Sequence, residues 1–364
     1  MGLATFALDS KRAVFNYLLS FVFLLTIGLG SLFLIALEYV SNAAWSTPFR
    51  RVAEFFSSYL PVLLFVALPL FLFLVDLFHL THPAPDDKIL TGKLPYLNIP
   101  FFIIRVIACF AIWIIYYLYA VRNSRKQDET KDQTLTRKNL VASAIFIPLF
   151  AITATIASVD WLMSLEPHWF STIFGVYFFS GSVVASLAAI TYTVVKLREK
   201  GYLHTGVVND HYYSFGSLLF GFVNFWAYIA FSQFMLYWYA NLPEETFWFI
   251  NRWAGYWPVI SIGLIIVHFI VPYAILLPQP AKMDPKRLKF ASLWLLFAHL
   301  IDLYWLIMPQ YHSDKNHPLL YILEIGFPMA IIGAAIIIFY LNFKKHNAVP
   351  VGDPKLQRGL DYRV

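Results

Sequence analysis

Long apolar runs recur along this chain, and they constrain its fold more than any other feature. Of its 364 residues 59% are hydrophobic and only 13% are charged, about half the charged fraction of an ordinary soluble domain. About 20 apolar residues cross the hydrocarbon core of a bilayer as a helix. The chain therefore predicts an all-α polytopic membrane protein, with nine spans at residues 14–37, 60–80, 99–121, 140–160, 170–196, 211–237, 248–277, 287–308 and 318–342.

Two segments outside these spans have patterns of their own. Residues 45–59 carry apolar side chains at helical spacing, with Arg50, Arg51 and Glu54 between them. This pattern predicts a helix that lies in the membrane interface with its charged side in water. Residues 343–364 are basic, and we expect them to form an extended tail.

The basic residues are distributed unevenly between the two sides of the membrane. If successive loops alternate sides, the loops after spans one, three, five and seven and the C-terminal tail together hold 20 of the 27 lysines and arginines. The opposite side holds five. Because cytoplasmic loops are enriched in lysine and arginine, this asymmetry predicts a cytoplasmic C-terminus and an N-terminus outside.

Two acid–histidine pairs lie inside the predicted spans. Asp76 and His79 are three residues apart, and so are His299 and Asp302. In a helix this spacing puts both side chains on one face. Ionisable groups at membrane depth are costly and usually face a protein interior, a partner or water. Both pairs are therefore candidates for function.

Four further ionisable residues complete the candidate set, and each has an ordinary structural alternative. Arg105 lies near a span end and can extend its charge to the interface. Asp160 starts a predicted loop, where it can be solvated or cap a helix, and Glu324 can form a hydrogen bond between helices. A single histidine such as His268 is more often a core residue than a ligand. Together with the two pairs, these residues reach from the outer face to mid-membrane, which favours a proton relay or a quinol-linked role on the outer side.

Several chemistries are disfavoured by the residue inventory. The single cysteine, Cys109, excludes internal disulfides and iron–sulfur clusters held by this chain's thiolates. No zinc-protease, P-loop or dinucleotide-binding motif is present, and no basic groove indicates nucleic acid. We expect no catalytic residue, no metal site and no cofactor bound by this chain, so that any redox groups belong to partners.

One stretch indicates a family. Val159–Ser182 (VDWLMSLEPHWFSTIFGVYFFSGS) closely resembles a segment of an integral membrane subunit, the F subunit, of alternative complex III. That assembly is a quinol:electron-acceptor oxidoreductase of bacterial respiratory chains, and the subunit belongs to the polysulphide-reductase-type (NrfD-like) superfamily. The other similar segments are Ser57–Pro61, Tyr96–Arg105, Phe231–Glu245 and His299–Pro309.

The resemblance implies an architecture of two antiparallel four-helix bundles. Mapped onto this chain, residues 1–160 hold spans one to four, and residues 161–308 hold spans five to eight. Residues 309–342 would contain a peripheral ninth span, and 343–364 a cytoplasmic tail. Relatives commonly have a tenth span at the N-terminus.

The resemblance also implies partners and a location. The expected partners are a homologous NrfD-like membrane subunit, an iron–sulfur subunit, c-type cytochrome subunits with haem c, small membrane-anchored subunits and lipid. The location would be the bacterial inner membrane. Quinol is usually assigned to the homologous subunit, and a proton path to the subunit that this chain resembles.

Three functions stay open at this point. The first is a cofactor-free subunit that provides a proton path and an assembly scaffold. The second is a subunit that itself binds quinone or quinol. The third is a standalone secondary transporter, although matching broken helices in two halves are not evident.

Overall fold

The protein is a bundle of long helices. A computed structural model describes residues 9–78, 87–311 and 325–364, and within these ranges no β-strand occurs. Nine helices there are long and apolar enough to cross a membrane, which confirms the predicted all-α polytopic class. These spans, numbered one to nine below, are Ser10–Val40, Thr47–Leu72, Ile99–Thr130, Thr134–Leu165, Phe174–Glu199, Asn209–Ala240, Trp257–Leu276, Pro285–Gln310 and Gly326–Lys345.

Spans one and five form the centre of the molecule. The most apolar stretch of span one is 89% buried and that of span five 83%, against 6% for span nine. Their backbones approach closely at Gly30, where an added Cβ would lie 2.3 Å from the Ser182 carbonyl oxygen. The Ser186 hydroxyl donates to the Ile27 carbonyl over 2.8 Å across the same contact.

The remaining spans surround this central pair. Span one also packs on spans two and four, and span three packs on span four. Span five packs on spans six and eight, and span six packs on span seven. Span nine lies at the periphery against spans one and two, where the Tyr59 hydroxyl donates to the Ala335 carbonyl over 3.1 Å.

The seventh predicted span is wrong at its start. Residues 248–277 are not one helix, because a short helix, Pro243–Asn251, ends before span seven begins at Trp257. Gly255 lies between them with φ of +58°, a conformation that favours glycine and breaks the helix. Pro258 then occupies the first turn of span seven, where a missing N–H costs nothing.

The helix predicted within residues 45–59 is present, but its charged side does not face water. Arg50–Ser57 is helical, but all eight of its residues are buried and it leads directly into the rest of span two. Arg50, Arg51 and Glu54 are 2%, 0% and 1% exposed. Their charges do not face water: the two arginines pair with Glu54 and with carboxylates from other segments.

The C-terminal tail is folded rather than extended. It contains a short helix, Leu356–Leu360, and its Asp353 is buried against Arg50 at 2.7 Å. Gly359 packs on the Ala44 carbonyl, and the ring Nε2 of His211 bonds to the Gly359 carbonyl over 2.9 Å. The tail thus contacts the loop after span one and the start of span six. We call the side of the protein that it covers the tail side.

Candidate functional site

Three ionisable side chains meet inside the second half of the protein. His268 of span seven and His299 and Asp302 of span eight place their polar atoms within 4.8 Å of one another. Each is at most 2% exposed. The predicted common face of His299 and Asp302 is confirmed. His268, which has no polar neighbour in the sequence, joins the pair from another span; we call these three residues the His–His–Asp cluster.

Two donors from other spans hold the Asp302 carboxyl group. The Tyr177 hydroxyl of span five donates to Oδ1, and the Trp226 indole N–H of span six donates to Oδ2 over 3.2 Å. A buried polar group without a partner costs about 1–3 kcal/mol, so these bonds offset much of the cost of burial. They also fix the direction in which the carboxyl group points.

The hydrogen bonds of His299 determine its tautomer. Its Nε2 lies 2.9 Å from the Thr26 hydroxyl of span one, and that hydroxyl donates its single proton to the Phe23 carbonyl over 2.8 Å. The network therefore assigns the ring proton to Nε2. The Nδ1 lone pair of His299 is left buried, without a partner among the described residues.

His268 is displaced by a local irregularity whose cause is visible in the sequence. Pro272 has no N–H, and in a regular helix its ring would clash with the His268 carbonyl four residues earlier. The helix accommodates this with a π-helical segment, Ile265–Ile270, in which the Val271 N–H bonds to the Ile266 carbonyl. Such single π turns occur frequently at functional sites.

The His268 ring lies flat on an aromatic partner, and its nitrogens are buried. Its centroid is 3.8 Å from that of Trp226, with 24° between the planes. Neither of its ring nitrogens has a hydrogen-bond partner within the described part of the chain. Gly181 of span five approaches His299 and Asp302 closely, since a Cβ there would lie 3.1 Å from His299 Cε1, 3.4 Å from His299 Nδ1 and 3.8 Å from Asp302 Oδ2.

This arrangement can exchange protons, and its atoms are also of the types that bind metal. Two imidazoles and one carboxyl group are the only set of potential metal ligands found in the described ranges. Three ligands fall short of the four of a closed structural zinc site. As acid–base groups the same side chains are well suited, because imidazole and carboxyl groups accept and release protons most readily of all side chains.

A groove lies directly beside the cluster. It has a volume of about 640 Å³, within the range of small-molecule sites, and it is lined mainly by aromatic and aliphatic side chains of spans five to eight. Tyr177 and Trp226, the two donors to Asp302, are among the lining residues. Tyr228 and Phe231, at the rim, are 66% and 60% exposed and face the surface that lipid would cover.

Arg105 and Asp160 form a second polar site at the opposite end of the molecule from the tail. The two side chains are 6% and 1% exposed and make an ion pair at 2.8 Å. The alternative that Arg105 merely extends its charge to the interface is wrong. Asp160 lies within its helix rather than in a loop, and it bonds to Arg105 rather than to a helix N-terminus.

A third polar site, on the tail side, was not predicted as a candidate. Arg50 pairs with Glu38 at 2.9 Å and with Asp353 at 2.7 Å, and Arg51 pairs with Asp128 and Glu54, each at 2.6 Å. All six groups are buried or nearly so, as is Ser124, which donates to Glu54. The network connects the tail to spans one, two and three.

At the opposite side, Asp87 and His168 tie two loops together. The His168 ring Nε2 lies 2.6 Å from Asp87 Oδ2. The backbone N–H of Leu90 and the His168 side chain hold the pKa of the Asp87 carboxyl below its usual value. The Lys93 ammonium donates to the Pro167 carbonyl over 2.5 Å in the same region, so this loop is held in place by polar contacts.

The other predicted residues cannot be placed at a site. Asp76 lies in the short helix Leu74–Leu77, but its side chain lies outside what the structure describes. His79 and Glu324 lie outside the described residues. The Asp76/His79 pair therefore stays a prediction.

Sequence reasoning missed Thr26, Tyr177 and Trp226, which hold the cluster in place. The chain has 22 tyrosines and 11 tryptophans, so none of them stands out by type. Pro272 is the one signal that could have indicated His268, because a proline four residues after a histidine inside a span predicts a distorted turn there.

Comparisons with models of known families and with curated proteins found no match for this chain. The resemblance to alternative complex III therefore rests on the sequence segments alone.

Proposed function

We propose that this protein is an integral membrane subunit of a bacterial respiratory quinol:electron-acceptor oxidoreductase, in which it provides a proton-exchange site and an assembly scaffold. The observation that carries the proposal is the His–His–Asp cluster, an acid and two imidazoles buried where five spans meet. A purely structural core gains nothing from such groups, since burying them is costly. The family-like segments supply the class of complex.

The cluster has the parts that proton exchange needs. Asp302 supplies a carboxyl group whose hydroxyl partner, Tyr177, faces the groove. His299 offers a lone pair at Nδ1, and Gly181 lies against both that ring and the acid. The ligand atoms of the cluster lie within 4.8 Å of one another, so one water or a small side-chain movement would connect the carboxyl group and the imidazole.

We infer that exchange takes place with the outer face of the membrane. On the route towards the tail, the groups next to the cluster are Thr26 and Ser186, hydroxyls that donate to backbone carbonyls. On the route away from the tail lie Gln233 and Ser171, which bond to each other over 3.3 Å. Protons would thus leave towards the side where Arg105 and Asp160 also lie.

The proposed location is the bacterial inner membrane, with the N-terminus outside and the C-terminus in the cytoplasm. Support comes from the tail, which contacts Ala44 after span one, Gln127 near the end of span three and His211 at the start of span six. These three regions therefore share a side, and it is the side on which most lysines and arginines fall. The positive-inside rule makes that side cytoplasmic.

The proposed partners carry the redox chemistry. They are a homologous membrane subunit, an iron–sulfur subunit, c-type cytochromes and small membrane-anchored subunits, while this chain binds no cofactor of its own. The central test is to purify the tagged protein from its native membrane and identify what is bound to it. Isolation of the chain without any redox subunit would contradict the proposal and favour a transporter.

The role of the cluster is tested in that purified assembly with Asp302→Asn. The variant keeps the shape and one acceptor oxygen but cannot carry a proton, so we expect quinol turnover or proton release to fall at least tenfold. Asp361→Asn, in the exposed part of the tail, is the matched control and should behave as the wild type. Unchanged turnover and proton stoichiometry in Asp302→Asn would show that the cluster is not a relay.

A second candidate function is favoured by the groove. Because Tyr177 and Trp226 line the groove and also hold Asp302, a quinol bound there could pass its protons to the acid through the Tyr177 hydroxyl. A photoreactive quinone should then label this chain, and Ala230→Phe, which fills the groove, should abolish the labelling. Labelling confined to the homologous subunit would exclude this alternative and leave the relay proposal intact.

A further inference from the structure

A cleft opens between the tail-side ends of spans seven and eight. It has a volume of about 370 Å³ and lies on the outer surface of the bundle, away from the His–His–Asp cluster. It is lined by Ala274, Ile275, Pro278, Lys286, Arg287 and Phe290.

The walls of the cleft are of two chemical kinds. Ala274, Ile275 and Phe290 form an apolar surface, and Phe290 is 54% exposed at a position that faces lipid. Lys286 and Arg287 stand at its polar end, where the chain leaves the predicted hydrocarbon region. A ligand that fits both walls has an anionic head and an apolar chain.

Among the described residues, the charge at the polar end is only weakly compensated. Arg287 lies 3.7 Å from one acid, Asp284. The two side chains are 60% and 39% exposed, so water screens this ion pair and it compensates little of the Arg287 charge. The neighbouring cations have other contacts. Lys282 lies over the Phe220 ring at 4.6 Å, and Lys289 pairs with Glu199.

We propose that the cleft binds an anionic phospholipid. The phosphate diester lies between Lys286 and Arg287, and one acyl chain runs along Ala274, Ile275 and Phe290. Basic pockets between transmembrane helices on the cytoplasmic side are suited to such headgroups. A free phosphate would use only the polar end, and a zwitterionic lipid would bring a third positive charge next to the two of Lys286 and Arg287. The proposal does not depend on the partners of this chain.

The test measures lipid binding to the full-length protein by native mass spectrometry in detergent. The probes are dioleoyl phosphatidylglycerol, dioleoyl phosphatidylcholine and inorganic phosphate. We expect phosphatidylglycerol to bind preferentially and millimolar phosphate not to displace it. Each basic residue near an anionic lipid contributes about 1 kcal/mol, so Lys286→Gln/Arg287→Gln should weaken binding about thirtyfold.

Two further variants make the result specific. Lys289→Gln removes a cation from the same helix that does not line the cleft, and it should keep the wild-type preference. Ala274→Phe fills the apolar wall without a change of charge, and it should weaken phosphatidylglycerol binding although both basic residues remain. The proposal would be overturned if phosphatidylglycerol bound the wild type and the double variant equally. It would also be overturned if Lys289→Gln lost as much binding as the double variant, or if phosphate displaced the lipid.

Discussion

Arg105 and Asp160 join spans three and four through a two-point ion pair. The Arg105 Nε–H donates to Asp160 Oδ2 over 2.9 Å, and its Nη2 donates to Oδ1 over 2.8 Å. The remaining guanidinium nitrogen donates to the Tyr96 carbonyl over 2.7 Å. The Tyr96 ring also lies 3.8 Å from the guanidinium carbon. Fork-shaped pairs of this kind are geometrically specific and strong.

The first prediction concerns this pair. Arg105→Gln and Asp160→Asn should each lower the free energy of unfolding by about 3–5 kcal/mol, because each leaves a buried charge without its partner. The double variant should be less destabilised than the sum of the two, since no lone charge remains. Unfolding in detergent, followed by circular dichroism with denaturant, measures both. Additive losses would show that the two residues do not stabilise each other.

The second prediction concerns the tail. Arg50→Gln leaves Glu38 and Asp353 without their cation, so the tail should detach from the tail side. Trypsin should then cut at Arg358, which is exposed but lies in a short helix held against the protein, at least tenfold faster than in the wild type. Arg50→Gln/Asp353→Asn should lower the free energy of unfolding less than the single variant, because it leaves one fewer buried charge unpaired. It should still free the tail. Wild-type cleavage rates in Arg50→Gln would contradict this role of the network.

The third prediction concerns the contact between spans one and five. Gly30→Ala places a Cβ 2.2 Å from the Ser186 hydroxyl oxygen and 2.3 Å from the Ser182 carbonyl oxygen. Both distances are severe steric clashes, and the second is with backbone. The two spans must separate, at a cost of at least 1–3 kcal/mol. Gly221→Ala, with no atom within 4 Å of the new Cβ, should be neutral or slightly stabilising. Thermal unfolding of both variants in one detergent makes the comparison, and equal stabilities would show that the interface can adapt.

The sequence predicts what depends on local pattern and misses what depends on packing. Apolar run length predicts the spans, and three-residue spacing predicts that His299 and Asp302 share a face. Neither pattern shows that His268 meets them, because contacts between spans depend on how the helices rotate against each other. The burial of the helix at 50–57 was missed for the same reason. Arg50 and Glu54 have the spacing of a solvated face, but Arg50 pairs with Glu38 and Asp353 of other segments, and Glu54 accepts a hydrogen bond from Ser124 of span three.

The last prediction tests the contact of Gly181 with His299 and Asp302. Gly181→Ala would put a methyl group 3.1 Å from His299 Cε1, 3.4 Å from Nδ1 and 3.8 Å from Asp302 Oδ2 without altering any ionisable group. If protons pass between His299 and Asp302, directly or through a water that needs about 10–15 Å³, the methyl group removes the route. Turnover of the purified assembly should fall about tenfold or more. The free energy of unfolding should change by no more than about 1–3 kcal/mol, the usual cost of one added methyl group.

Gly221→Ala is again the matched control, because it adds the same methyl group to span six where nothing lies within 4 Å. It should leave turnover unchanged. Comparison with Asp302→Asn then separates two causes. If Asp302→Asn is slow and Gly181→Ala is not, Asp302 exchanges protons through Tyr177 and the groove rather than through His299. If both are slow to the same extent, the proton passes between His299 and Asp302 beside Gly181.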